Sequence, residues 1–90
     1  MALNTLGYTR ERLQQYDRSI AAYEQSLAID RELGARYWAA HALTHIGDVH
    51  ALDSAHEKAV TAWQQAASIF DDLHHPEGAS VRAKLVSGTG

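Results

Sequence analysis

Apolar residues recur along this chain with helical spacing. Leu3, Leu6 and Leu13 fall on one stripe, with Arg10 at its margin. Tyr16, Ile20, Tyr23 and Leu27 form a second stripe at i, i+4, i+7 and i+11. Leu43, Ile46 and Val49 mark a third. Val60, Trp63, Ala67, Phe70 and Leu73 mark a fourth, and Val81 with Leu85 gives a short last segment an apolar edge. No alternating run is long enough for a strand. The pattern predicts helices over about 2–13, 17–33, 36–52, 55–74 and 76–86, with ends uncertain by about two to four residues.

The punctuation between stripes agrees with this division. Asp17 is placed to cap the second helix by accepting a bond from a free backbone N–H. Ser54-Ala55-His56-Glu57 has the form of a capping box, in which serine and glutamate each satisfy one free N–H. Gly34 suits a left-handed helix end. His74-His75 lie near a helix C-terminus, where partial positive charge is favourable. Pro76 fits the first turn of a helix, because its missing N–H costs nothing there.

A shift of 40 residues superimposes the chain on itself without a gap. Ala2, Leu3 and Gly7 fall on Ala42, Leu43 and Gly47; Ala22, Gln25, Ile29, Leu33 and Ala39 fall on Ala62, Gln65, Ile69, Leu73 and Ala79. Leu6 pairs with Ile46, Ile20 with Val60, and Tyr23 with Trp63. Glycines and large aromatics stay in register together, which is the signature of a structural repeat. The units span about 2–41 and 42–75, with a closing helix at 76–86 and a flexible tail at 87–90. The domain is therefore expected over 1–86.

Composition narrows the function classes. A 90-residue chain with 46% hydrophobic and 21% charged residues is an ordinary globular domain. Its net charge of −3 and lack of basic runs argue against direct nucleic-acid binding. Without cysteine, disulfides, thiolate metal sites and cysteine nucleophiles are excluded. No apolar stretch approaches membrane-spanning length, and no leader is evident, so a cytoplasmic protein is expected.

Six histidines raise the question of metal, and His41, His45 and Asp48 at i, i+4 and i+7 could share a face. A structural zinc site wants four ligands and no fourth is evident, so no metal and no cofactor is expected. No nucleophile elbow or glycine-rich phosphate loop is present, so no catalytic residues are assigned. Tyr37-Trp38 fall outside the main stripes and read as candidates for an exposed contact.

The order Leu3, Leu6-Gly7, Ser19, Tyr23, Ser26, matched by Leu43, Ile46-Gly47, Ala59, Trp63, Ala66, resembles the tetratricopeptide repeat. The resemblance implies that small Ser19, Ser26, Ala59 and Ala66 stand where the two helices of a unit cross closest, with Tyr23 and Trp63 filling the space beside the crossing. The period of 40 exceeds the usual 34. Arg31 and Asp71 replace the usual proline ending the second helix of a unit, and Gln14 and Ser54 stand where the turn usually carries glycine. The segments Ala42–His50 and Trp63–Leu73 also resemble repeats of large bacterial transcription regulators of the SARP and NB-ARC (STAND) type. The resemblance implies an all-α, TPR-like α-solenoid of two helix–turn–helix hairpins plus a C-terminal capping helix.

It further implies a protein- or peptide-binding module and no enzyme. Self-association as a dimer is expected because stacked repeats bury their faces against neighbours, and two units and a fraction leave apolar faces open. Its concave face would present Asn4, Tyr8, Glu11 and Arg12 from the first unit, and His41, Thr44, His45, Asp48 and Leu52 from the second. A helical spacer between domains, or a fragment of a peptide-pheromone sensor, are the other readings.

Overall fold

A computed structural model describes residues 15–87. Four helices follow one another: α1 (Tyr16–Glu32), α2 (Arg36–Leu52), α3 (His56–Asp72) and α4 (Glu77–Ser87). Each packs on the next, so α2 and α3 are both covered on two sides. No strand occurs among the described residues. The helix expected over 2–13 lies outside them.

The first three helices are each 17 residues long. The core is built from the stripes that periodicity marks. Tyr23, Ala40, Ala42, Val49, Trp63, Ala66 and Phe70 are fully or almost fully buried, with Leu27, Leu43, Ile46 and Val81 around them. Ala59 and Ala66 are buried small residues, as the crossing requires. Gly47 is the tightest point. A Cβ there would overlap the indole of Trp63, so only glycine lets α2 and α3 approach with that ring between them.

The helix starts differ from expectation. Gln15 precedes α1 and Asp17 sits inside the first turn, so Asp17 acts through its charge at the positive helix end and makes no cap bond. The capping box does not form either. Ala55 is the N-cap of α3 and no side chain bonds there. Ser54 is instead left-handed at φ 60° and belongs to the turn. Once that residue turns left, its hydroxyl no longer stands over the free N–H groups of α3.

The turns share one construction. Gly34 at φ 68°, Ser54 at φ 60° and His74 at φ 53° each reverse the chain after a helix. After each, an N–H bonds back to the preceding helix, from Ala35 to Asp30, Ala55 to His50 and His75 to Phe70, at 2.8 Å in all three. This is a left-handed helix end, which glycine enters without strain and serine and histidine do not. The last turn carries a further bond. Glu77 N–H donates to His75 Nδ1 at 3.2 Å, so that imidazole caps α4.

Candidate functional site

A half-buried face of α2 carries the residues that sequence singles out, and the helix period puts Tyr37, His41, Thr44, His45 and Asp48 along it. Their rings form a continuous series. Tyr37 meets Trp38 edge-on at 5.0 Å, Trp38 meets His41 at 5.7 Å, and His41 meets His45 at 4.7 Å. His45 then lies flat on Tyr23 of α1, with centroids 5.1 Å apart and planes 4° from parallel. Trp38 is the open member, 44% exposed.

Tyr37 differs from the expectation of an exposed contact. It is half-buried, packs edge-on against Phe70 at 5.9 Å, touches His75 at 5.0 Å, and donates its hydroxyl to Glu77 Oε1 at 2.8 Å. That bond, with burial and the Glu77 charge, raises the phenol above its usual pKa of 10.0. Tyr37 thus joins α2 to α4, and Trp38 alone of the pair is presented outward.

Asp48 is also more than a surface carboxylate. Its Oδ1 accepts from Trp63 Nε1 at 3.1 Å and from Lys84 Nζ at 2.7 Å. Lys84 lies 5.9 Å from the Trp63 ring centroid, within reach of a cation–π contact. One acceptor therefore pins α2, α3 and α4 together. Thr44 turns its hydroxyl back to the Ala40 carbonyl at 2.9 Å.

His45 is held towards its neutral form, mainly by burial. His41 and Lys84 push in the same direction, against an opposing pull from Asp48. His41 Nδ1 is buried without a hydrogen-bond partner among the described residues. Leu52 is 56% exposed at the far end of α2. Asn4, Tyr8, Glu11 and Arg12 lie outside the described residues.

Among the described residues no group of three or more His, Cys, Asp or Glu is arranged to hold a metal ion. None of their helices is long and apolar enough to cross a membrane.

Sequence reasoning finds the residues of this face but not their bonds. The Trp63–Asp48 contact had one legible signal. Gly47 is the small residue facing the Trp63 ring, and the next residue along stands beside that ring. Nothing comparable marked Lys84 or Glu77, whose bonds to Asp48 and Tyr37 span 36 and 40 residues.

Helical hairpins stacked at a fixed period, with small residues at the crossings and an open face on the first helix of the unit, define a helical-repeat interaction module. Comparison with protein families matches residues 1–72 to the tetratricopeptide repeat, and the chain belongs to that family. Repeats of this family are protein-interaction modules. No curated protein and no solved structure matches the chain.

Proposed function

We propose that this chain binds a protein or peptide along the half-buried face of α2, through His41, Thr44, His45 and Leu52, with Asp48 at its floor. By the repeat, Asn4, Tyr8, Glu11 and Arg12 extend that surface. We read the parent as a cytoplasmic bacterial transcription regulator in which the module recognises an effector or partner and associates with its own copy as a dimer.

The observation that supports this best is the outward Trp38 continuous with the His41 and His45 rings. An exposed aromatic backed by polar rings suits a partner that brings both apolar area and hydrogen-bonding groups. A spacer has no use for such a surface.

Self-association is tested by light scattering across protein concentration, on the wild type and on Trp38→Ala with His41→Ala. A mass that rises with concentration and reverts to monomer in the double variant supports this face as the contact. A concentration-independent monomer mass down to low micromolar protein would remove self-association. An unchanged dimer in the double variant would move the contact elsewhere.

A further inference from the structure

The two units differ along one buried line. The inner stripe of α3 reads Ala59, Trp63, Ala66, Phe70, and all four are buried. The same positions in α1, 40 residues earlier, read Ser19, Tyr23, Ser26, Asp30, and all four are buried as deeply. The second unit thus buries methyl groups and a benzyl ring where the first buries two hydroxyls and a carboxylate. Ser19 Oγ, Ser26 Oγ and Asp30 Oδ2 have no hydrogen-bond partner among the described residues. A polar group buried without a partner opposes folding of the helix that carries it.

We propose that α1 is a releasable helix, one that opens from the α2–α3–α4 body in a local step distinct from global unfolding. Side-chain bonds weld that body together. Trp63 and Lys84 both hold Asp48, and Tyr37 holds Glu77. Against it, α1 offers apolar packing by Tyr16, Ile20 and Leu27 and the flat stack of Tyr23 on His45. Stability is unevenly spread through folds, and a segment with poor burial energetics opens first.

Release would have a defined product. Tyr23 leaves the His45 ring, and the α2 side that carries Leu43 and Ile46 loses its α1 cover. A helix that binds and unbinds in this way lets one chain alternate between a closed surface and an open apolar one, without disturbing the welded second unit.

Hydrogen exchange on the intact 90-residue chain provides the test. α1 and α3 are both 17 residues long, so they make a matched pair. The proposal expects α1 amides to exchange about tenfold or more faster than α3 amides, the effect of one or more unpaired buried groups. Giving α1 the residues of α3, by Ser19→Ala, Ser26→Ala and Asp30→Phe together, should close most of that gap. Ser19→Ala with Ser26→Ala alone should close part of it, should the phenylalanine prevent folding. Equal protection of α1 and α3 in the wild type overturns the proposal. So does a gap that persists unchanged in the variants, since that outcome assigns the difference to something other than the buried polar line.

Discussion

The Trp63 indole N–H donates to Asp48 at 3.1 Å while its ring lies against the bare backbone of Gly47, one residue earlier. One large side chain is thus fixed twice by adjacent residues of the facing helix. The glycine sets how close the ring can come, and the carboxylate sets how it is turned.

Gly47→Ala should therefore be costly for so small a change. Its methyl would overlap a ring that is 1% exposed and held by its own hydrogen bond. Overpacking of this kind costs about 1–3 kcal/mol. Ala59→Leu at the same crossing is expected in the same range. Denaturant titration read by circular dichroism measures both, and midpoints equal to wild type would contradict the packing.

Asp48→Ala should destabilise the fold by about 1–2 kcal/mol, because two donors lose their common acceptor. Asp48→Asn should lose less, since an amide oxygen can still receive the indole N–H. A partner-binding defect in Asp48→Ala therefore has to be read beside its melting curve. Trp38→Ala serves better as a binding probe, because that side chain is 44% exposed.

The left-handed turns give a prediction of opposite sign. Ser54→Gly and His74→Gly should each stabilise the protein by about 0.5–1 kcal/mol, because a side chain in that conformation is strained and glycine is not. Gly34→Ala should destabilise by about 1 kcal/mol, although nothing lies within 4 Å of the added methyl. Thermal melts of the three variants check this, and a gain from Gly34→Ala would refute it.

Acid should weaken the fold through His45. Burial lowers its pKa in the folded state below the model-peptide value of 6.5. The unfolded chain therefore takes up this proton first as pH falls, and stability declines from about pH 7 towards the lower folded value. His50, lowered by burial and by Lys58, adds to the same slope. His45→Phe keeps a ring on Tyr23 and removes the titration, so its stability should vary less between about pH 7 and 5.5. An unaltered slope in that variant would assign the acid sensitivity to other groups.

Periodicity carried most of the fold. Helix α2 occupies the expected 36–52, and the buried roles of Tyr23, Trp63, Ala59 and Ala66 follow from the superposition of the units. Helix starts were harder to read, because Asp17 and Ser54 have good capping chemistry in the wrong backbone conformation. A capping motif assumes an extended residue ahead of the helix, and Ser54 is left-handed. On the candidate site, residue type placed His41 and His45 on one face. It could not reveal that Tyr37 and Asp48 are committed to bonds with α4, since those depend on how distant helices dock. Asp30 shows the same limit. As a carboxylate three residues before a turn it looks like surface, yet it is 1% exposed.

Gly34, Ser54 and His74 come at intervals of 20 residues, half the period of the sequence. Seen from its turns, the backbone beats once per helix and does not distinguish the first helix of a unit from the second. A slip of one beat would lay each helix where its neighbour belongs and keep every turn intact. The Gly47–Trp63 contact removes that ambiguity. Moved by 20 residues, the place of Gly47 is taken by Ala67 and that of Trp63 by Ala83, and a bare backbone no longer faces an indole. The phase of the array is thus written in one glycine and one tryptophan, and the turns are free to vary.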